Sequence, residues 1–264
     1  MLKGLDFKLK REGWCESHEK PLLNLYGRTA CPDCQRELIE QQEAEYIKKA
    51  SMRHEKRITY ERLYKDSIYS DYSLTDASFQ SFIIEEEESE RNKLLARRIA
   101  GRYLKGEVFN TVLTGNAGAG KSFLAMAILK AVNENADPWK SCLFVNLDEF
   151  LLEVRSTFGN NDKTNKEDEK SMIERIADVD LLVLDDLGAE TGFIGTDKRA
   201  TDFTQRMLYA LMNRRQNAST IITTNLNGEQ LDYMYDSKIL SRLYRRIDGN
   251  IIKFEKSVDK RMKF

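Results

Sequence analysis

Gly115-Asn116-Ala117-Gly118-Ala119-Gly120-Lys121-Ser122 decides the reading of this chain, with Thr111-Val112-Leu113-Thr114 before it and Phe123-Leu124-Ala125-Met126-Ala127-Ile128-Leu129 after it. The eight residues match G-x-x-x-x-G-K-[ST], and each invariant position has a chemical reason. Gly115 and Gly120 let the backbone wrap until successive N–H groups face phosphate oxygens. Lys121 places a point charge on the β- and γ-phosphates, and the Ser122 hydroxyl can ligate Mg²⁺. The β-rich run enters the loop and the apolar run leaves it as a helix, so phosphates sit at a helix N-terminus where unpaired N–H groups favour anions. Gly115, Asn116, Ala117, Gly118, Ala119, Gly120, Lys121, Ser122 and Phe123 are the candidate nucleotide-binding residues.

Leu181-Leu182-Val183-Leu184-Asp185-Asp186 supplies the matching acids. Four consecutive apolar residues suit a central parallel strand buried on both faces, and ligands of open α/β sheets bind at the C-terminal ends of such strands. Asp185 is the candidate Mg²⁺-side carboxylate, and Asp186 the candidate for polarising an attacking water. A third run, Thr220-Ile221-Ile222-Thr223-Thr224, ends at Asn225. That side chain is placed to orient the water near the γ-phosphate, with a turn-forming asparagine as the alternative.

Strand and helix alternate beyond these motifs: strands at 111–114, 142–146, 181–185 and 220–224, helices at 85–105, 121–135, 148–157, 171–177 and 200–216. A basic helical tail follows. This rhythm predicts a three-layer α/β sandwich around a parallel sheet. The polar stretch 160–170 reads as a surface loop, and Gly188 to Thr196 as a segment that responds to nucleotide state. Cys142, in an apolar strand, reads as a small core residue, and His54 as a solvated histidine on a charged helix.

The chain has 264 residues and a formal net charge of −1, enough for one sizeable core and a smaller appendage but with no overall basic signal. Charge is uneven: Glu85 to Glu88 is an acidic run, while Lys238 to Phe264 carries nine Lys or Arg against three Asp or Glu. No apolar run approaches the roughly 20 residues that span a bilayer, and the start has no secretory h-region. A cytoplasmic protein without membrane association is expected. Four cysteines in such a chain point away from disulfides. Three of them, with a histidine, form Cys15-x2-His18-x12-Cys31-x2-Cys34, a spacing that suits tetrahedral Zn²⁺. Pro32-Asp33 is expected to make the tight turn that returns Cys34 to the ion, and metal would supply folding energy to a segment too small to fold by burial. The expected divisions are 1–35 for the zinc-binding module, 36–74 for a helical linker turning irregular from Ser67, and 75–264 for the nucleotide-binding domain.

The phosphate loop, Leu-Leu-Val-Leu-Asp-Asp-Leu-Gly-Ala-Glu at 181–190, Thr-Thr-Asn-Leu at 223–226 and Ile239-Leu240-Ser241-Arg242-Leu243 together resemble AAA+ helicase loaders of the DnaC/DnaI type. The resemblance covers roughly residues 75–264, and a zinc module on a linker is similar to the DnaI-type arrangement. It implies an α/β P-loop AAA+ fold and a slow, switch-like ATPase with ATP and Mg²⁺ as ligands. Asp185 and Asp186 fall at the Walker B acids, Asn225 at sensor 1 and Arg242 at the arginine finger. Arginine suits that last task, being permanently charged and planar; Lys238, Arg245 and Arg246 are alternatives. The implied partners are a hexameric replicative helicase docked by the zinc module, single-stranded DNA, and further copies of the chain in ATP-dependent self-assembly. Phe150 and Arg155 are the stacking and phosphate candidates for DNA. One departure stands out: Asp259 occupies the place where the family carries a sensor 2 arginine, with Lys260 or Arg261 as substitutes. Two other readings remain: an IstB-like transposition helper, against which the zinc module weighs, and a non-hydrolysing ATP-bound adaptor.

Overall fold

A computed structural model describes residues 11–25, 28–157, 169–189 and 199–257. The chain divides into two compact units, Met1–Arg57 and Ile58–Phe264. The expected loop at 160–170 lies almost wholly outside the described residues, as do 190–198 of the glycine-bearing segment, Asp259 at the sensor 2 place and its two possible substitutes, Lys260 and Arg261.

The first unit opens with an antiparallel meander of β1 (Arg11–Cys15), β2 (Lys20–Leu25) and β3 (Arg28–Ala30). A 34-residue helix, α1 (Pro32–Lys65), follows and runs past the division at Arg57. Pro32 does not make the expected turn. It opens α1, where its fixed φ and missing N–H cost nothing, and Cys34 stands in the helix's first turn. Tyr46 and Ile47 on α1 are 74% and 66% exposed, and the Lys49–Glu45 pair at i,i+4 spacing supports a solvated helix.

The second unit is built on a five-stranded parallel sheet of β4 (Thr111–Gly115), β5 (Cys142–Asn146), β6 (Leu181–Leu187), β7 (Ser219–Thr224) and β8 (Ile251–Phe254), in the order β5-β6-β7-β4-β8. Alternate residues of each strand serve opposite layers. Leu182 and Leu184 join one core with α4 (Leu147–Ser156), α5 (Glu169–Ala177), α6 (Asp202–Arg214) and α8 (Ser237–Leu243). Leu181 and Val183 join the other, with α2 (Glu87–Leu104) and α3 (Lys121–Asn135). The three-layer α/β arrangement follows from this double burial. A short helix, α7 (Gly228–Met234), precedes α8. No helix among the described residues is long and apolar enough to cross a membrane.

One element differs from expectation. The tail is not helical throughout: after α8 the chain turns and enters the sheet as β8, pairing Ile252 with Leu113. Only four residues long and half exposed, β8 offers alternation too short to stand out among basic residues. The stretch from Ser67 to Phe82 is irregular as expected, apart from one 3₁₀ turn at Tyr72–Asp76, and it is packed against the second unit's core. Tyr69, Leu74, Ala77 and Phe82 are buried, and Ile68 bridges Val145 in parallel, giving its N–H to Phe144 O and taking that of Asn146. One residue thereby covers the open edge of β5, where unpaired backbone groups would otherwise face outward. Cys142 is fully buried.

Candidate nucleotide-binding site

The loop between β4 and α3 is shaped by its neighbours as much as by its own glycines. Gly115 has φ +130, and a Cβ there would stand 2.1 Å from Phe254 O, so any side chain would drive β8 from its pairing with β4. Gly120, at φ +96, is the N-cap residue of α3, a left-handed conformation that an L side chain adopts only with strain. Phe254 O accepts the Asn116 N–H, and the Asn116 amide donates to Glu255 O and Ser257 O. Asn116 therefore faces the C-terminal strand.

A cavity of about 400 Å³ opens at the C-terminal ends of the strands, lined on its inner side by Ala117, Gly118, Gly120, Lys121, Ser122, Phe123, Asp185, Asp186 and Asn225. Of the residues singled out in the loop, Gly115, Asn116 and Ala119 do not line it; Ala119 is buried. The outer wall is Ser70, Asp71, Ser73, Leu74, Ser81, Phe82 and Ile83. Sequence patterning gave no sign of this wall, because the stretch carries neither helical nor strand period.

Lys121 is buried, and its ammonium donates to Gly115 O at 2.9 Å, Asn116 O at 2.6 Å and Asn225 Oδ1 at 2.6 Å. The other end of the Asn225 amide donates to Asp186 Oδ1 at 3.1 Å. One asparagine thus joins the loop lysine to the second acid. Asp185 is 3% exposed. Burial pushes its carboxyl above the ordinary range, hydrogen bonds from Thr223, Ser122 and Asn146 pull against that, and Asp186 adds repulsion. Such a carboxylate gains most from a cation, since charge neutralisation removes the cost of burial. Ser122 and Asp185 stand together as a pair that can hold Mg²⁺.

Two residues here escaped sequence reasoning. Thr223 donates to Asp185 Oδ1 at 2.7 Å, and Asn146 at the end of β5 pairs in register with Asp185 and donates to Ser70 Oγ at 3.3 Å. The available signal was positional: each is a polar residue near the C-terminal end of a core strand.

Arg242 does not line this cavity. It lies on α8, donates to Lys238 O at 2.6 Å, and stacks over Tyr209 with its guanidinium carbon 4.6 Å from the ring centre. Arg245 donates to Gln216 O and Arg246 to Val108 O. Phe150 cannot stack on a base: it is 1% exposed and sits in the core beneath α4. Arg155 is exposed, 5.1 Å from the Phe203 ring.

In the first unit, Cys15, His18, Cys31 and Cys34 bring their ligand atoms within 4.8 Å of one another. His18 Nδ1 faces the sulfurs, 3.2 Å from Cys34 Sγ, while Nε2 lies 3.0 Å from Glu37 Oε1. A carboxylate on the far ring nitrogen fixes the ring as metal-binding histidines require. Three sulfurs and one nitrogen converging from a strand end, a turn and a helix start fit Zn²⁺.

Parallel sheet, phosphate loop, buried Asp185 beside half-buried Asp186, and bridging asparagine together define an α/β P-loop fold of the AAA+ kind. The chain belongs to the family described as IstB-like ATP binding protein, which matches residues 46–251. It is similar to the replicative helicase loader DnaC of Escherichia coli strain K12, 24% identical over 170 residues, or 64% of this chain and 63% of that protein. DnaC of Buchnera aphidicola subsp. Baizongia pistaciae is 25% identical over 171 residues, with the same coverage. The match thus spans a little under two thirds of these relatives' length. Among solved structures, the fold is similar to a DnaC helicase loader (TM-score 0.55, 20% identity, 70% of this chain and 100% of that one) and to DnaI (0.53, 20%, 71% and 95%).

Proposed function

We propose that this chain is an ATP-dependent loader of a replicative hexameric DNA helicase, acting in the cytoplasm to deliver the ring onto single-stranded DNA as replication begins. The observation that carries this reading is the presence of both working parts in one chain: a cavity closed by Lys121, Asn225, Asp185 and Asp186, and a converging Cys₃His set. The family's curated relatives named as replicative helicase loaders support it.

Lys121 and the loop amides bind the ATP phosphates, Ser122 and Asp185 hold Mg²⁺, and Asn225 with Asp186 orients a water against the γ-phosphate. Arg242 completes the site of a neighbouring copy. Hydrolysis is slow and works as a switch that releases the loader. Cys15, His18, Cys31 and Cys34 hold Zn²⁺ and shape the meander that docks on the helicase. DNA contacts are salt-dependent, as phosphate binding requires.

A pull-down with the purified replicative helicase tests this, comparing the intact chain with Cys31→Ser/Cys34→Ser. Capture by the intact chain and loss with the double variant are expected. ATP-dependent DNA binding without any helicase capture would move the reading to a transposition helper. Turnover with Asp186→Asn addresses the adaptor: equal rates in wild type and variant would leave ATP a structural ligand.

A further inference from the structure

Asp185 and Asp186 are held by one hydroxyl. Thr223 Oγ1 accepts the Asp186 backbone N–H at 2.9 Å and donates to Asp185 Oδ1 at 2.7 Å. A hydroxyl has a single proton. With the amide on one lone pair, the proton is aimed at Asp185 Oδ1. The amide bond matters equally, because Asp186 has φ +62, a left-handed conformation that a non-glycine residue keeps only where its surroundings impose it. The register of β6 against β7 slips between Leu184 and Leu187, around this residue. From that turn Asp186 reaches Asn225, which in turn holds Lys121. Thr223 is 1% exposed and lies outside the cavity lining, so it acts through the two acids.

We propose that Thr223 is a positioning residue for Mg²⁺–nucleotide, presenting Asp185 as a metal acceptor and locking Asp186 in the turn that aims it at Asn225. This rests on the ATP-binding reading of the cavity. Valine matches threonine in shape and lacks both hydrogen bonds, whereas serine keeps both.

The test compares Thr223→Val and Thr223→Ser in the full chain, with Thr223→Ala replacing valine if that variant fails to fold. A fluorescent ATP analogue is titrated in EDTA and then across Mg²⁺. Valine is expected to leave EDTA-buffered affinity within about twofold and to raise the Mg²⁺ half-saturation about tenfold or more, the scale on which outer partners of metal ligands act. Turnover should fall about 10- to 100-fold through kcat rather than KM, and serine should restore both. Amide exchange of Asp186 in ligand-free protein should accelerate in the valine variant alone. Unchanged Mg²⁺ half-saturation in valine, or equal loss in serine and valine, overturns the proposal. Absence of Mg²⁺-dependent nucleotide binding in the wild type overturns the reading of the cavity instead, and unchanged Asp186 exchange in valine then overturns the positioning role separately.

Discussion

Glu88 sits in the first turn of α2, and its carboxylate collects the backbone N–H groups of Glu255, Lys256 and Ser257 together with the Ser257 hydroxyl. Burial raises its pKa, but the four hydrogen bonds outweigh burial and hold it below the ordinary glutamate range. A depressed carboxyl contributes stability that is present above its unfolded value of about 4.3 and lost as pH falls through the lower folded value. Glu88→Gln should therefore cost about 2 kcal/mol at pH 7, as expected for hydrogen bonds to a charged group. The difference should shrink as the pH is lowered past 4; urea unfolding at pH 7 and pH 3 reads both. The same strand end constrains Gly115 and Asn116, so this carboxylate braces the phosphate loop from a distance of many residues. At the loop itself, Lys121→Ala should abolish ATP binding, measured by titration calorimetry; retained affinity would refute the site. The loop and both acids were legible because their chemistry dictates residue type and spacing. Thr223 was not, because a threonine in a β-strand is ordinary and only the partner strand reveals what its hydroxyl holds.

Arg215 follows α6 and ties several elements together. It is 2% exposed and donates to Thr220 Oγ1 and to the carbonyls of Ala177, Val179 and Ser219, at the end of α5 and the starts of β6 and β7. Burial draws its pKa down to about 10, so it remains charged at neutral pH. Arg215→Met fills the space but leaves those carbonyls unpaired, each at about 1–3 kcal/mol; a loss of at least about 3 kcal/mol in denaturant unfolding is expected. Without metal, the meander β1–β3 has too little apolar surface to stand alone. A strong chelator should release about one zinc per chain and remove the meander's strand signal, read by metal-indicator absorbance and amide exchange; an unperturbed meander would show that the four ligands serve packing only. Element reading from sequence succeeded where burial imposes a period, as in β6 and α3. It failed at β8, where long-range pairing decides the conformation, and at Ser67–Phe82 it read the irregular course but not the bridge of Ile68 to Val145. Phe150 failed for a related reason: an aromatic on an amphipathic helix is assigned to core or surface by the helix's orientation, and α4 turns it inward.

For the whole molecule, the decisive question is where the charge that completes the site comes from. Within one chain the cavity is lined, among the described residues, by Lys121 as its cation. That lysine already meets Gly115, Asn116 and Asn225, and phosphoryl transfer gains further from an arginine that reaches the γ-phosphate only in the assembled state. Arg242 is the arginine proposed for this role. It is propped by Lys238 O and stacked on Tyr209, with the ring and the preceding turn fixing the direction of the side chain. An arginine held this way loses little conformational entropy on meeting a partner's phosphate. Since Arg242 does not line its own chain's cavity, its removal should leave ATP affinity within about twofold. It should also remove the rise in turnover per chain that accompanies increasing protein concentration, an effect that reaches about 10³-fold for arginines supplied in trans. Hydrolysis measured from dilute to concentrated protein separates the cases. Turnover of Arg242→Ala that still climbs with concentration would shift the role to Arg245 or Arg246, and Arg245→Ala and Arg246→Ala would then be compared in the same series. Turnover independent of concentration in the wild type would mean that each chain completes its site alone.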